Sequence, residues 1–227
     1  KRLIKLGEEK FRIKKVGAPQ LDEIYQIKIS KKPRYNDLIK KYTLPESKKY
    51  YLVIFHSVTE EIYKIKKQIN ILLDTLTNIE NDKVWILPNN DPGSSIIREI
   101  LLRDSKKKNK IYENFPRADF LQVMSNSIAI IGNSSAGIIE APSFYLPAIN
   151  IGRRQNKRLR AKNVIDVKEF KKNKILEAIE KGSSKKFRKE ISKIINPYGD
   201  GNSSKRIVEQ LKKMKKDKRL IAKILTY

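Results

Sequence analysis

The residues of this chain most able to do chemistry are one histidine and one turn of small polar residues. His56 is the sole histidine, and it directly follows the apolar run 50–55. The next residues, 57–59, could cap a helix that starts near residue 60. An imidazole between a strand end and a helix start can transfer a proton or stabilise a growing negative charge. The alternative is a turn histidine that only packs or faces solvent.

The second candidate is the segment 128–142, which predicts a buried strand, a turn and a helix. Main-chain N–H groups of the turn, the hydroxyls of Ser134 and Ser135, and the positive end of the helix dipole could together hold a phosphate. Glu140 would lie about 9 Å further along the helix axis. Its carboxylate could accept hydrogen bonds from both hydroxyls of an adjacent ribose. The alternative is an ordinary capped helix that packs tightly under Gly137.

Two more polar segments follow apolar runs. Arg153 and Arg154 come just after the run 147–152, and their guanidinium groups could balance a pyrophosphate. The polar turn 196–203 precedes another helical stretch. We expect it to face the same crevice, although turn formation alone would also explain its composition.

Short apolar runs alternate with stretches of helical period along most of the chain. The runs predict strands at 11–16, 51–55, 84–87, 111–115, 128–131, 148–151 and 164–167. Helices are predicted at 2–6, 60–78, 170–181, 186–195 and 203–216, with further helical stripes near 96–101 and 120–124. Several strands lack a polar face, which is typical of parallel strands covered on both sides. The pattern favours one α/β domain, a Rossmann-like doubly wound sheet that binds ligands beyond the carboxyl ends of its strands.

The end of the chain is predicted to be helical, with apolar residues at helical spacing on one face. They are Ile207, Val208, Leu211, Met214, Leu220, Ile221, Ile224 and Leu225. Such a stripe must dock on something. The chain also starts at Lys1, inside a helical pattern, which suggests a piece of a longer protein. We therefore expect residues 203–227 to cross to a preceding domain.

Composition excludes several classes of function. With no cysteine and one histidine, a thiolate or histidine-rich metal site is excluded, and we expect no metal or cofactor. No apolar run approaches the ~20 residues of a membrane helix, and no signal segment opens the chain, so we expect a cytoplasmic protein without a membrane. Lys plus Arg number 51 against 25 Asp plus Glu, a net charge of +26. A nucleic-acid-binding module is the weaker alternative, because the lysines are scattered and no recognition motif is present.

Several motifs in the right order resemble those of the hydrolysing UDP-N-acetylglucosamine 2-epimerases, which supply sugars for sialic and legionaminic acids. The motifs are 16–19, 56–59, 90–94, 132–142, 150–155 with 163–164, and 196–202. The form Gly-Asn-Ser-Ser followed by Gly-Ile-Ile-Glu-Ala-Pro resembles the hydrolysing branch. The family usually has proline where this chain has Ser57.

This resemblance implies a GT-B fold (UDP-glycosyltransferase/glycogen phosphorylase-like), of which the chain is similar only to the C-terminal half. It implies a role for six residues: His56 in catalysis, Ser134 and Ser135 at the UDP phosphates, Glu140 at the ribose, Arg154 by the nucleotide and Phe120 near uracil. The implied reaction is anti elimination of UDP followed by addition of water, which yields N-acetylmannosamine. The implied partners are a UDP-sugar substrate, a missing N-terminal domain and a second copy in a homodimer.

The resemblance leaves two alternatives open and carries one expectation about the chain itself. The substrate could be a UDP-2,4-diacetamido-trideoxy sugar, and a GT-B glycosyltransferase would use the same nucleotide site. The carboxylates that move the C2 proton are implied to lie in the other half. The chain alone is therefore expected to bind UDP weakly and to turn over nothing.

Overall fold

The computed structural model describes residues 2–30, 35–47, 49–103, 109–214 and 218–222. The chain forms two compact units. One is built from Gln26–Pro197, and the other from the two ends of the chain, up to Tyr25 and from Tyr198 onward. The assignment of residues 1–227 to one nucleotide-binding domain stays a prediction, to which the structure adds that the two ends form a unit of their own.

The Gln26–Pro197 unit is built on a parallel sheet of six strands in its described part, in the order β3-β2-β1-β4-β5-β6. The strands are β1 Tyr50–Ile54, β2 Asp82–Ile86, β3 Asn109–Tyr112, β4 Ile130–Gly132, β5 Ala148–Ile151 and β6 Val164–Val167. Strands β1 and β4 are neighbours at the centre, where the order of the strands reverses. Such a switch point leaves a crevice at the carboxyl ends of the two strands.

Helices connect the strands and cover the sheet in the Gln26–Pro197 unit, whereas the first helix and the last two belong to the terminal unit. Their bounds are α1 Arg2–Lys5, α2 Asp22–Ser30, α3 Tyr35–Tyr42, α4 Ile65–Thr77, α5 Ser94–Arg103, α6 Arg117–Ser125, α7 Ala136–Ile139, α8 Lys172–Ser183, α9 Lys185–Ile191, α10 Ser203–Lys213 and α11 Lys218–Ile221. Short 3₁₀ turns form at Lys10–Arg12, Pro19–Leu21, Thr59–Lys64 and Ala141–Phe144. None of the described helices is long and apolar enough to cross a membrane.

The core explains why these sequences form these elements. All five residues of β1 are buried, and helices α4, α5 and α8 bury apolar residues in one cluster with β1, β2, β4 and β5. Ile69, Leu72 and Leu76 of α4 lie three or four residues apart and are fully buried. Burial of one such side chain contributes roughly 1.5–3 kcal/mol. This packing fixes the strand ends, and therefore the loops that follow them.

In the terminal unit, polar contacts join the two ends of the chain. The Asp22 carboxylate accepts hydrogen bonds from the main-chain N–H groups of Ser203 (2.9 Å) and Ser204 (2.6 Å) at the start of α10. The N–H of Ala18 donates to the Tyr198 carbonyl at 2.8 Å. Asp22 therefore caps a helix that lies far away in the sequence.

The expected doubly wound parallel sheet is confirmed, and strands 148–151 and 164–167 match to the residue. The strand predicted at 11–16 is wrong: Lys10–Arg12 is a 3₁₀ turn, and this segment pairs with no described strand. The helix predicted at 60–78 begins as a 3₁₀ turn, with Glu61 outside helical geometry (φ −122°, ψ 19°), so α4 starts only at Ile65.

The remaining helices shift by a few residues. Helix α9 ends at Ile191 rather than at residue 195. Helix α10 ends at Lys213; Lys216, the predicted end, lies outside the described residues, as do Ile224 and Leu225.

Candidate functional site

The unusual residues of the sequence collect beyond the carboxyl ends of neighbouring strands. His56 follows β1, Asn89 and Asp91 follow β2, the turn 133–135 follows β4, and Arg154 follows β5. In the sheet these strands are adjacent in the order β2-β1-β4-β5. Because all are parallel, their loops meet at one edge. The site therefore lies across the β1/β4 switch point.

Asn133 joins the β1 loop to the β4 loop. The main-chain N–H of His56 donates to Asn133 Oδ1 at 2.7 Å, and Asn133 Nδ2 donates back to the His56 carbonyl at 2.8 Å. The close approach depends on Gly132, which has φ +129°, because a Cβ there would overlap the carbonyl of Ile54. Only glycine adopts this conformation without strain.

The same turn is held from the β5 side. Gln155 Nε2 donates to the Asn133 carbonyl at 2.8 Å, and Arg154 Nη1 approaches that carbonyl at 3.5 Å. Asn133 and Gln155 are each only 2% exposed. Neither residue could be selected from the sequence alone, because each acts through partners that follow other strands.

The imidazole of His56 is partly buried against Asn89. Its Nδ1 lies 3.2 Å from Asn89 Oδ1 and 3.3 Å from the main-chain nitrogen of Asn89. Burial, and then the charge of Arg154, lower the pKa of His56 to about 4, although Asn89 and Asp91 act in the opposite direction. The ring is therefore neutral at pH 7. When Nδ1 accepts the N–H of Asn89, the proton lies on Nε2.

Arg154 places a positive charge beside the turn. Its Nη2 lies 3.4 Å from Asp91 Oδ2, and its side chain is 26% exposed. Asn89 Nδ2 also donates to this carboxylate at 2.8 Å. These contacts lower the pKa of Asp91, with the Asn89 hydrogen bond as the first lowering cause and Arg154 next. The long contact to Asp91 leaves the guanidinium able to exchange this partner for another anion.

The two serines lie on the turn itself. Both are partly buried, and Ser134 Oγ accepts the N–H of Ala136 at 3.3 Å. No acceptor in the described part of the chain is hydrogen-bonded to the main-chain N–H groups of Ser134 and Ser135. Helix α7 is only four residues long and passes into a 3₁₀ turn at Ala141. The helix dipole therefore contributes less than the sequence suggested, because Pro142 stops the α-helix early.

Glu140 and Phe120 are brought together by Arg117, a residue that the sequence analysis missed. Glu140 is 7% exposed and forms an ion pair with the Arg117 guanidinium. That guanidinium also lies 5.9 Å from the centre of the Phe120 ring. A signal existed, since Arg117 precedes Phe120 by three residues, one turn on α6. These three residues form a second group, which no hydrogen bond or ion pair joins directly to His56 among the described residues.

The turn 196–203 is divided between the two units. Asn196 Nδ2 donates to the carbonyl of Ile139 (2.8 Å) and to Ser143 Oγ (2.7 Å), so Asn196 braces the segment after α7. Residues from Tyr198 onward belong to the terminal unit. In the described residues, no group of three or more histidine, aspartate or glutamate side chains could hold a metal ion.

Comparisons with known proteins agree on one family. The family model described as UDP-N-acetylglucosamine 2-epimerase matches residues 1–212. The chain is 36% identical over 227 residues to the UDP-N,N'-diacetylbacillosamine 2-epimerase (hydrolyzing) of Legionella pneumophila, covering 100% of this chain and 58% of that protein. It is 35% identical over 192 residues to the GDP/UDP-N,N'-diacetylbacillosamine 2-epimerase (hydrolyzing) of Campylobacter jejuni, covering 83% of this chain and 48% of that protein. The chain thus spans about half the length of these relatives.

Solved structures share the fold. The UDP-GlcNAc 2-epimerase of Neisseria meningitidis bound to UDP-GlcNAc superposes with a TM-score of 0.75 at 20% identity, covering 93% of this chain and 58% of that one. The enzyme of Methanocaldococcus jannaschii in complex with UDP-GlcNAc and UDP gives a TM-score of 0.73 at 23% identity, covering 93% and 58%. These matches, with the sheet order described above, confirm the Rossmann-like fold of one half of a GT-B protein.

Proposed function

Because this chain belongs to the UDP-N-acetylglucosamine 2-epimerase family, we propose that it forms the C-terminal, nucleotide-binding half of a hydrolysing UDP-sugar 2-epimerase. The observation that carries the proposal is the arrangement of His56, Arg154 and the turn 133–135 at one edge of the sheet, linked through Asn133. Neutral hydrogen-bond donors together with the Arg154 guanidinium at a switch point suit a diphosphate ester.

In this proposal the two groups of residues bind different parts of UDP. Ser134 and Ser135 donate to the diphosphate through main-chain and hydroxyl groups, and Arg154 leaves Asp91 to neutralise it. Glu140 accepts hydrogen bonds from the ribose hydroxyls, and the ring of Phe120 lies against uracil. Arg117 orients Glu140 and lies beside the Phe120 ring.

The proposed reaction breaks two bonds of the sugar and then forms two. The bond from C1 to the UDP oxygen breaks while a base removes the C2 proton, which gives a 2-acetamidoglucal and UDP. Water then adds at C1, and a proton returns to C2 on the opposite face. The neutral His56 donates a hydrogen bond to the leaving diphosphate and stabilises its growing charge, a contribution of roughly 100- to 10,000-fold in rate.

The sugar is proposed as UDP-N-acetylglucosamine or its 2,4-diacetamido-trideoxy relative. The Legionella and Campylobacter relatives favour the second, because both are named for diacetylbacillosamine and match at 36% and 35% identity. The chain is also 31% identical over 225 residues to the Escherichia coli polysialic acid biosynthesis protein P7 (96% of this chain, 55% of that protein). The name of that relative favours a product sugar that is used to make a sialic acid.

The proposed partners are a preceding domain of the same protein and a second copy in a homodimer. Helix α10 of the terminal unit supports the first, since Val208, Leu211 and Met214 are 49%, 59% and 55% exposed. Val208 and Leu211 lie on α10 and Met214 directly follows it, and three such apolar side chains are poorly placed in water. We propose that residues 203–227 cross to that domain, whose surface would then cover Val208, Leu211 and Met214.

The test is incubation of the full-length protein with each UDP-sugar in D₂O, without an acceptor. We expect release of UDP and of the free 2-epimerised sugar, with one solvent deuterium at C2. A GT-B glycosyltransferase would release no epimerised sugar under these conditions. Release of UDP with a sugar of unchanged C2 configuration would contradict the proposal.

A further inference from the structure

We propose that Asn133 is a positioning residue, whose side-chain amide holds His56 at a fixed place relative to the diphosphate; this inference rests on the function proposed above. The amide engages both main-chain groups of His56, as acceptor at 2.7 Å and donor at 2.8 Å. It does not contact the imidazole through these bonds. Its effect on the reaction would therefore be exerted through the backbone of His56.

The contact extends the sheet by one residue after the strands have separated. The paired residues end at Ile54 and Gly132, and the N–H of Asn133 still donates to the Ile54 carbonyl at 3.1 Å. Beyond this point the main chain of 133–135 turns away into α7. The Asn133 side chain then supplies to His56 the donor and acceptor that a neighbouring strand would supply.

A third strand fixes Asn133 in turn. Gln155, after β5, donates to the Asn133 carbonyl at 2.8 Å. Its other amide atom, Oε1, is buried without a hydrogen-bond partner in the described part of the chain. Leaving that oxygen unpaired costs free energy. Among the described residues, the bond to the Asn133 carbonyl is therefore the contact that orients this side-chain amide.

The consequence is that one side chain sets the distance between the imidazole and the two serines. Ser134 and Ser135 directly follow Asn133. The position of any group that they bind is therefore fixed by the same residue that holds His56. Loss of the two hydrogen bonds between the Asn133 side chain and the His56 main chain would let the β1 loop move relative to the turn. Misplacement of a reacting group by about 1 Å can lower a rate by ~100-fold.

The test uses Asn133→Ala, with Asn163→Ala as the matched control. Asn163 is also fully buried, and among the described residues its Nδ2 donates to the carbonyls of Leu146 (2.8 Å) and Gly137 (3.4 Å) and to no group of His56. His56 gives the single histidine signal in a proton NMR titration of the chain. We expect its pKa to rise by about one unit or more in Asn133→Ala, because the ring gains water. In Asn163→Ala we expect no change.

Kinetics of the full-length protein provide the second measurement. We expect Asn133→Ala to lower kcat by ~10- to 100-fold, with KM within ~3-fold of wild type. The proposal would be overturned if both variants lost the same amount of stability and the pKa of His56 were unchanged in both. If Asn133→Ala does not fold, Gln155→Met decides by the same criteria, with a smaller shift expected. Absence of turnover in the wild type would count against the proposed function. The pKa of His56 in the variants would still test whether Asn133 positions this residue.

Discussion

His56 lies where its neutral form is favoured, and this has a consequence for stability. Its pKa is about 4 in the folded chain, against an ordinary value of about 6.5. Between these values the unfolded chain binds more protons than the folded one. The contribution of His56 to the free energy of unfolding should therefore be fully present above pH 6.5. It should be lost as the pH drops towards 4, which lowers the stability by up to roughly 3 kcal/mol.

Urea denaturation at pH 7 and pH 4.5 measures this effect, with His56→Asn as the comparison. The variant cannot ionise at this position, so its stability should fall less between the two pH values than that of the wild type. Carboxylates titrate in both proteins and cancel in the difference. Equal losses in both proteins would show that the imidazole is not held in its neutral form.

Glu140 is expected to distinguish a ribose from a deoxyribose. Replacement Glu140→Gln keeps the size of the side chain but removes the charge that accepts two hydroxyl hydrogen bonds. We expect UDP affinity to fall by ~10-fold and 2′-deoxy-UDP affinity to fall by a smaller factor, because the deoxy nucleotide has only its 3′-hydroxyl to lose as a partner and a hydrogen bond to a charged group contributes about 1.5–3 kcal/mol.

Calorimetric titration of each protein with both nucleotides checks this expectation. Glu190→Gln is the control, because Glu190 is an exposed carboxylate on α9. It should leave both affinities unchanged. If Glu140→Gln weakened both nucleotides equally, Glu140 would be acting through Arg117 and the shape of the site rather than through the 2′-hydroxyl.

Residue types alone identified the candidates that carry unusual chemistry, but not those that hold them. His56 and Glu140 could be selected as the sole histidine and as a carboxylate after a small-residue turn. Asn133 could not be, because its role depends on His56, 77 residues away in the chain. Gln155 and Arg117 were missed for the same reason: their function is defined by a partner on another element.

At the scale of elements, short apolar runs predicted the strands well where neighbouring strands could bury them. The runs 148–151 and 164–167 are strands with those bounds. The run 11–16 has apolar residues but no strand beside it in the part of the chain that the structure describes, and a strand needs such a neighbour to satisfy its main-chain groups. The helix predicted from residue 60 fails in its first turn, where the Glu61 carboxylate bonds to Gln68 (3.0 Å) and Arg153 (2.8 Å).

The β1/β4 junction makes a prediction about Gly132. In Gly132→Ala the new methyl group would overlap the Ile54 carbonyl, at a backbone φ of +129° that alanine disfavours. The two strands must then separate at the site. We expect a loss of about 3 kcal/mol or more in the free energy of unfolding, or failure to fold.

Thermal and urea unfolding of Gly182→Ala provides the matched comparison. Gly182 lies in α8 without positive φ, and a Cβ there would meet only side-chain atoms, the nearest at 3.3 Å. Alanine also favours helix by about 1 kcal/mol over glycine. We expect this variant to change stability by less than roughly 1 kcal/mol. Similar effects for both glycines would show that β1 and β4 do not approach as closely as described.

At the scale of the whole molecule, the net charge of +26 is the feature that the site explains least. Acidic residues are scarce, yet those near the strand ends are paired with arginine: Asp91 with Arg154, Glu140 with Arg117, and Glu61 with Arg153. A carboxylate held by a guanidinium is a poor base, because the pairing stabilises its charged form. Glu140 and Glu61 are therefore poorly suited to remove a C2 proton. Asp91 loses Arg154 to the diphosphate in the proposed complex, but it keeps the hydrogen bond from Asn89, which is the main cause of its lowered pKa.

This pairing argues that the 227-residue chain does not catalyse the reaction by itself, and we expect it to bind UDP weakly. Elimination needs a base on the sugar, and the chain spans 58% of the Legionella relative, so we expect that base on the remaining part of the protein. Calorimetry should detect UDP binding by the chain, while incubation with UDP-N-acetylglucosamine or the diacetamido sugar in D₂O should give neither free sugar nor deuterium at C2. The full-length protein is the positive control. Deuterium at C2 with the chain alone would place the base among Asp91, Glu140 and Glu61, and Asp91→Asn, Glu140→Gln and Glu61→Gln would then identify it.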